Sequence, residues 1–159
     1  MKVLIGGGSG FIGQALCEHF LQKGYEITVI TSNAQVAYRR LKNKVALILW
    51  DNLDHDMIKA QDLIINLAGA NIAKKRWSQS YRKTLFDSRM ETTSIIAALL
   101  KPLGKKSPPW FNASAIGFYG FQDHFENLPP ALDEATNSAD LNQNCFSAEL
   151  VKSWEKIPL

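Results

Sequence analysis

The chain opens with Met1-Lys-Val-Leu-Ile-Gly-Gly-Gly-Ser-Gly-Phe-Ile-Gly13, and this stretch decides the fold. The apolar run Val3–Ile5 predicts a buried strand. Glycines at positions 7, 10 and 13 follow at once, and residues 14–23 beyond them predict a helix. A strand, a glycine-rich turn and a helix therefore follow one another directly.

The glycine loop, residues 7–13, has the features of a dinucleotide phosphate site. One glycine allows the tight turn, a second lets backbone N–H groups approach a pyrophosphate, and a third allows close packing of helix on strand. The positive end of the helix dipole then faces the phosphates. The spacing is G-x-x-G-x-x-G rather than G-x-G-x-x-G, so an ordinary strand-to-helix turn is the alternative interpretation.

Composition predicts a single globular domain over residues 1–159. The 159 residues are 46% hydrophobic and 21% charged, which is enough apolar material for a sizeable core. The net charge of +3 is spread over interspersed acids and bases, so a nucleic-acid partner is not expected. Cys17 and Cys145 do not form a disulfide framework, and the three histidines lack ligand spacing, so no metal site is expected.

Targeting signals are also not expected in this sequence. Glycines interrupt the apolar run after Ile5, which argues against a signal peptide. No apolar stretch is long enough to cross a membrane. The sequence therefore predicts a cytoplasmic protein without a membrane partner.

Strand and helix patterns alternate along the rest of the chain. The further predicted strands are residues 25–30, 45–49, 62–67 and 110–115. The further predicted helices are residues 33–41, 54–60, 78–101 and 141–156, with a long loop over residues 117–139. This alternation predicts an α/β fold, a doubly wound parallel sheet with helices on both faces.

Ligands of such sheets bind at the carboxyl ends of the strands. That rule selects four segments, which are Gly7–Gly13, Thr31–Asn33, Leu67–Ala70 and Ser114–Gly120. One dinucleotide could contact all four, because the carboxyl ends of parallel strands share one edge of the sheet.

The second of these segments bears on the choice of cofactor. An NAD site usually has an acidic residue at the end of the second strand, to bind the ribose 2′-hydroxyl. Thr31–Asn33 contains no acid, which favours NADP, with NAD as the alternative. Arg39 and Arg40 on the next helix could approach a 2′-phosphate, although a solvent-facing position is the alternative for each. Asp51-Asn52 after the third strand could hydrogen-bond an adenine.

Six motifs in order resemble one protein family. They are Gly7-Gly-Ser-Gly-Phe-Ile-Gly13, Asn66-Leu-Ala-Gly-Ala-Asn-Ile-Ala73, Arg76-Trp77, Ser88-Arg-Met-Glu-Thr-Thr93, Ser114-Ala-Ile-Gly-Phe-Tyr-Gly120 and Phe146 with Trp154-Glu155. Together they resemble the atypical, extended short-chain dehydrogenases/reductases, the sugar-nucleotide-epimerase-like group of the NAD-dependent epimerase/dehydratase type. The resemblance runs from Met1 to about Glu155. It implies a Rossmann-type fold and an NADP-type cofactor. Members are considerably longer, so the resemblance implies that this sequence corresponds to their N-terminal portion, and we expect it to lack the C-terminal substrate lobe.

The resemblance also implies which residues bind the cofactor. They are Gly7, Gly10, Phe11, Ile12, Gly13, Thr31, Ser32, Leu67, Ala68, Gly69 and Arg89. Many members have Arg at the position of Ser32, which makes this chain a departure from the pattern. Arg89 matches a cofactor-contacting arginine, and a structural ion pair is its alternative role.

The catalytic pattern of the family is incomplete in this chain. Active relatives use a Ser or Thr after the fifth strand and a Tyr-x-x-x-Lys motif in which Tyr is the acid or base. Phe146 and Leu150 occupy the Tyr and Lys positions, and Ala115 occupies the Ser/Thr position. The nearest candidates for catalysis are Ser114 and Tyr119. The alternative role of Tyr119 is that of a packed tyrosine in a turn.

Three functions are therefore considered. The first is an NADP-dependent oxidoreductase or epimerase that acts on a carbonyl compound or nucleotide sugar. The second is a non-catalytic dinucleotide-binding domain, and the third is a structural domain whose glycine loop binds nothing. Self-association through an exposed sheet edge or the long helices is a further expectation.

Overall fold

Two compact units make up the part of the chain that the structure describes. The structure, a computed structural model, describes residues 1–119 and 145–157. The first unit is Met1–Ala113, and the second begins at Ser114. The predicted loop beyond Tyr119 and residues 141–144 of the last predicted helix lie outside the described residues.

The first unit contains a parallel five-stranded sheet with the order β3-β2-β1-β4-β5. Its strands are β1 (Lys2–Gly6), β2 (Glu26–Thr31), β3 (Ala46–Leu49), β4 (Leu63–Asn66) and β5 (Trp110–Asn112). Its helices are α1 (Phe11–Gln22), α2 (Ala34–Leu41), α3 (His55–Lys59) and α4 (Gln79–Leu100), with 3₁₀ turns at Trp50–Asn52 and Lys101–Lys106. The second unit contains a 3₁₀ turn, Ile116–Tyr119, and helix α5 (Phe146–Glu155). The predicted doubly wound α/β fold is confirmed.

The core lies on both faces of the central strand β1. Because side chains alternate along a strand, Val3 and Ile5 pack on one face in a cluster that includes Cys17 of α1. Leu4 packs on the other face in a cluster that includes Ile96 of α4. A strand covered on both faces needs apolar residues at every position, which explains the uninterrupted run Val3–Ile5.

Strand register brings the site segments to one level of the sheet. Gly6 at the end of β1 is the register partner of Ile30 in β2 and of Asn66 in β4. Asn66 is in turn the partner of Asn112 in β5. The segments that follow these strands therefore leave the sheet side by side.

Several element boundaries differ from the sequence prediction. Helix α1 begins at Phe11 rather than at residue 14, because Gly10 is its N-cap with extended backbone, φ −74° and ψ 178°. Strand β5 ends at Asn112 rather than at residue 115. The Asp54 side chain caps α3 as expected, by accepting a 2.8 Å hydrogen bond from the Met57 amide.

Candidate functional site

The glycine loop turns sharply out of β1. Gly7 has φ +73°, a backbone conformation that glycine adopts without steric cost. A Cβ at Gly7 would also lie 2.9 Å from backbone atoms of Leu67 and Ala68. The Gly7 amide donates to the Ile30 carbonyl at 3.2 Å, and the Gly10 amide donates to the Gly7 carbonyl at 2.9 Å. These contacts hold the loop against the neighbouring strands.

The glycines of the loop have different steric environments. A Cβ at Gly13 would lie 2.5 Å from the Gly7 carbonyl oxygen and from Gly8 Cα, so α1 packs directly on the loop backbone. A Cβ at Gly10 would approach only the Gly7 carbonyl oxygen, at 3.1 Å, and would otherwise point into open space. Gly8, which the spacing pattern did not single out, lies against Val29, whose Cγ2 would be 2.5 Å from an added Cβ. In the sequence, the run of three consecutive glycines at positions 6–8 was the feature that pointed to such a close contact.

Helix α1 presents its N-terminus beside this loop. The amides of the first turn of a helix have no carbonyl partner within the helix, and the helix dipole makes this end positive. Phe11 and Ile12 begin α1, and their side chains are 94% and 61% exposed. These two large apolar side chains at the start of α1 are therefore not part of the core.

One cleft of 810 Å³ connects the glycine loop with the ends of β2 and β4. We call it the glycine-loop cleft. Of the residues expected to bind a cofactor, the cleft is lined by Gly7, Gly10, Phe11, Thr31, Ser32, Leu67, Ala68 and Gly69. Further lining residues include Ser9, Arg40, Trp50, Ser88 and Thr92. The expected residues Ile12, Gly13 and Arg89 do not line it.

Arg89 lies behind the segment Leu67–Ala70. Its Nη1 donates to the carbonyls of Ala70, at 3.3 Å, and Leu85, at 3.0 Å. A Cβ at Gly69 would lie 3.0 Å from Arg89 Cζ, so this glycine lets the guanidinium approach the backbone. Burial lowers the pKa of Arg89, and the electrostatic interaction with Tyr81 acts in the opposite direction.

A buried polar network supports the same segment. Asn66 is fully buried, and its Nδ2 donates to Thr93 Oγ1 at 3.1 Å and to Asn112 Oδ1 at 2.8 Å. Its Oδ1 accepts a 3.1 Å hydrogen bond from the Ala68 amide. Sequence reasoning gave Asn66 no role of its own, although an amide that ends an apolar strand is a signal, because buried polar groups need partners.

The end of β2 combines hydroxyl groups with one arginine. Thr31 Oγ1 accepts a 3.1 Å hydrogen bond from the Asn33 amide, whereas Ser32 is exposed in the glycine-loop cleft. Arg40 reaches across from α2, and its Nη1 donates to the Ser9 carbonyl at 3.1 Å. Arg39 does not line the cleft.

A smaller pocket of 240 Å³ adjoins the glycine-loop cleft. The two share Thr31, Ser32, Trp50 and Thr92 as lining residues. The smaller pocket adds two carboxylates, Asp51 and Glu91, and the apolar Leu49 and Ile95. Asp51, suggested from the sequence as an adenine contact, therefore lies on a pocket wall, whereas Asn52 does not line this pocket.

The loop between Asn71 and Trp77 is held by its own hydrogen bonds. Trp77 Nε1 donates to the Ile72 carbonyl at 2.8 Å, and the Tyr81 hydroxyl donates to the Asn71 carbonyl. Trp77 is 38% exposed. The side chain therefore fixes the loop through its indole nitrogen while keeping part of the ring in solvent.

The catalytic candidates belong to the second unit. The Ser114 hydroxyl donates to a carboxylate oxygen of Glu155, a partner that the sequence did not suggest. The Tyr119 ring packs edge-on against Phe118 with centroids 5.6 Å apart. Leu150, at the expected Lys position, is buried, and Phe146, at the expected Tyr position, is half-buried.

The described ranges, 1–119 and 145–157, contain neither a helix suited to span a membrane nor a cluster of metal ligands. None of their helices is both long and apolar enough to cross a bilayer. Within the same ranges, no group of three or more His, Cys, Asp or Glu side chains is placed to hold a metal ion.

A glycine turn, a helix N-terminus and the ends of parallel strands around one cleft define the Rossmann class of dinucleotide-binding folds. The family model of the NAD dependent epimerase/dehydratase family matches residues 3–146. The chain belongs to this family, which confirms the resemblance carried by the six motifs.

Curated relatives are about twice as long as the region they share with this chain. The human epimerase family protein SDR39U1 is 30% identical over 157 residues, which are 98% of this chain and 48% of that protein. An epimerase family protein of Staphylococcus aureus is 34% identical over 163 residues, with the same shares covered. The chain thus spans about half the length of these relatives.

Solved structures show the same fold. Human SDR39U1 (isoform 2), solved with NADPH, superposes with a TM-score of 0.74 and 28% identity, over 100% of this chain and 49% of that chain. A UDP-galactose 4-epimerase superposes with a TM-score of 0.69 at 19% identity, over 99% of this chain and 50% of that chain. The second likeness concerns the fold alone.

Proposed function

We propose that this chain is the cofactor-binding part of an NADP(H)-dependent oxidoreductase or epimerase that acts on a carbonyl compound or nucleotide sugar. The observation that carries the proposal is the glycine-loop cleft, which reaches from the glycine loop to Ser32 on one side and to Ala70 on the other. Gly7 and Gly10 both line the cleft, and a Cβ at Gly10 would meet only the Gly7 carbonyl oxygen, so the loop leaves room for a pyrophosphate. The NADPH held by human SDR39U1 supports this assignment.

Each part of the cleft then has a role. The amide of Phe11, which begins α1 and lines the cleft, binds the pyrophosphate. Thr31 and Ser32 lie at the adenosine ribose, and Asp51 in the adjoining pocket accepts a hydrogen bond from the adenine amino group.

The segment Leu67–Gly69 lies along the nicotinamide half of the cofactor. Arg89 acts on this segment from behind, through its hydrogen bond to the Ala70 carbonyl. The cofactor supplies hydride transfer when it is bound. The protein's contribution here is to orient it.

Proton transfer is assigned to Ser114 and Tyr119. The carboxylate of Glu155 accepts the Ser114 hydroxyl proton in a hydrogen bond, which orients this hydroxyl and makes it a better proton acceptor. Tyr119 is the phenol nearest in sequence to Ser114. Neither Phe146 nor Leu150 can exchange a proton, so these two positions contribute nothing to acid–base chemistry.

A second candidate function is cofactor binding without catalysis. The burial of Leu150 favours it, because the position where relatives carry Lys is here part of the apolar packing of α5. A cytoplasmic location and self-association stay predictions. Among the described residues β5 is an edge strand of the sheet, and its Phe111 is 64% exposed, so this edge suits self-association.

Calorimetric titration with NADPH, NADP⁺, NADH and NAD⁺ tests the proposal. We expect saturable binding of NADPH by the chain and weaker binding by Gly10→Val, whose branched side chain enters the cleft. Absence of binding for all four nucleotides would refute the proposal. NADPH oxidation with aldehydes, ketones and nucleotide sugars then separates the two functions, because the second predicts binding without turnover. Turnover that is lost in Tyr119→Phe would assign the acid.

A further inference from the structure

Arg40 is the cationic side chain that the fold brings into the glycine-loop cleft at the end of β2. It lies in the last turn of α2, whose Ala37 and Leu41 face the core. Its Nη1 donates to the carbonyl of Ser9 at 3.1 Å, across 31 positions of sequence. This bond places the guanidinium between the glycine loop and the end of β2.

The charge of Arg40 is not neutralised within the described ranges. No carboxylate among residues 1–119 and 145–157 forms an ion pair with it. The single hydrogen bond to Ser9 leaves several N–H donors of the guanidinium available. Asp51 and Glu91 are the two carboxylates of the smaller adjoining pocket, and neither lines the glycine-loop cleft.

Two serine hydroxyl groups line the glycine-loop cleft together with Arg40. Ser9 and Ser32 line the cleft, and neither hydroxyl forms a hydrogen bond with any residue in the described ranges. A guanidinium with spare donors and two unengaged hydroxyls suit a dianionic group with several acceptor oxygens. A ribose 2′-hydroxyl offers no charge to the guanidinium and only one oxygen to these donors.

We propose that Arg40 binds the 2′-phosphate of NADP(H) and is the residue that selects NADP(H) over NAD(H). The inference rests on the proposed function, since it assigns a role within the same cleft. Ser32 at the end of β2 carries no charge, and Arg40 supplies that charge from α2. Guanidinium–phosphate contacts are charge-assisted and often bidentate, so they discriminate strongly between a phosphate and a hydroxyl.

Arg39 provides a matched control. It has the same charge and lies in the same helical turn, but it does not line the glycine-loop cleft. Neighbouring positions of a helix point in different directions. Arg39→Gln and Arg40→Gln therefore change net charge and helix composition equally, but only Arg40→Gln alters the cleft and removes the hydrogen bond to Ser9.

Calorimetric titration of wild type, Arg39→Gln, Arg40→Gln and Arg40→Lys with NADPH and NADH tests the inference. We expect Arg40→Gln to weaken NADPH binding by about 10- to 100-fold, as loss of hydrogen bonds to a charged group would. NADH affinity should stay within about 3-fold, which lies inside the usual spread for a surface substitution. Arg39→Gln should bind both nucleotides as wild type does. Arg40→Lys should bind NADPH with intermediate affinity, and it also serves if Arg40→Gln does not fold.

The possible failures are distinguishable. Wild-type protein that binds neither nucleotide would overturn the proposed function and this inference together. Preferential NADPH binding that survives in Arg40→Gln, or that falls equally in Arg39→Gln, would overturn the inference and leave the proposed function standing. Equal losses for NADPH and NADH in folded Arg40→Gln would also overturn it, because they would assign Arg40 to the support of the glycine loop through Ser9.

Discussion

The side-chain amide of Asn66 donates to Asn112 Oδ1 at 2.8 Å and so joins the carboxyl ends of the neighbouring strands β4 and β5. The same side chain accepts from the Ala68 amide, so the segment that lines the cleft is fixed to the buried network. Since Thr93 of α4 also contacts Asn66, one amide ties a helix, two strands and the cleft wall together.

Replacement of Asn66 by Leu should therefore destabilise the protein. It removes one hydrogen bond from each of Thr93, Asn112 and Ala68. The buried Ala68 amide is then left unsatisfied, which costs about 1–3 kcal/mol. Urea unfolding followed by circular dichroism measures the loss. The exposed Asn52 provides the control Asn52→Leu, which should leave the free energy of unfolding almost unchanged. Equal effects of the two substitutions would contradict the role of the network.

Two alanine substitutions in the glycine loop should have different effects. Gly13→Ala should lower the stability of the fold, and Gly10→Ala should weaken NADPH binding. The Gly13 methyl would lie 2.5 Å from loop backbone, so this variant should lose stability by about 1–3 kcal/mol, as overpacking does. The Gly10 methyl has one tight contact, at 3.1 Å, and enters the cleft, so this variant should stay folded and bind NADPH more weakly. Thermal unfolding and NADPH titration of both proteins check the contrast. A Gly13→Ala protein as stable as wild type would show that α1 can move away from the loop.

A charge introduced at position 32 should shift the cofactor preference. Ser32→Arg should strengthen NADPH binding by on the order of 1–3 kcal/mol, because it adds a charged partner for the 2′-phosphate. Ser32→Asp should weaken NADPH binding and favour NADH, because a carboxylate repels the phosphate and accepts from the ribose hydroxyl. Competition titrations with the two nucleotides measure both effects. A wild-type preference for NADH would refute the NADP assignment.

Cys17 should resist thiol reagents in the folded protein. Burial raises the pKa of its thiol from 9.0 to about 11, and the thiolate is the reactive form. In Cys145→Ser protein, iodoacetamide at about pH 8, just below the usual thiol pKa, should label Cys17 slowly until urea unfolds the chain. Fast labelling of the native protein would contradict the buried position.

The same pKa shift predicts a pH dependence of stability. The unfolded chain gives up the Cys17 proton at lower pH than the folded chain, so the stabilising contribution is complete below pH 9.0 and is lost as pH rises through about 11. The free energy of unfolding of Cys145→Ser protein should therefore fall over this range relative to that of a protein with the additional substitution Cys17→Ala. Parallel pH profiles would refute the shift.

Local patterns in the sequence were sufficient to predict the architecture of the sheet and its helices. The apolar run Val3–Ile5, the glycines that follow it and the alternation of strand and helix patterns are all read within a few residues. Such signals predict elements because backbone preference and side-chain periodicity act over one or two turns. Boundaries were less certain, as the start of α1 at Phe11 and the early end of β5 show, because caps and ladder hydrogen bonds decide them.

The sequence by itself determined the class of fold, the glycine loop and the family, since these follow from residue types in order along the chain. Tertiary structure alone decided that Arg40 rather than Arg39 enters the cleft, that Arg89 lies behind the segment Leu67–Ala70, and that Asn66 pairs with Asn112. Each of these facts depends on groups far apart in sequence, 31 positions for Arg40 and Ser9 and 46 for the asparagine pair. Their meeting is set by strand register and helix rotation, which only the packing of the whole sheet fixes.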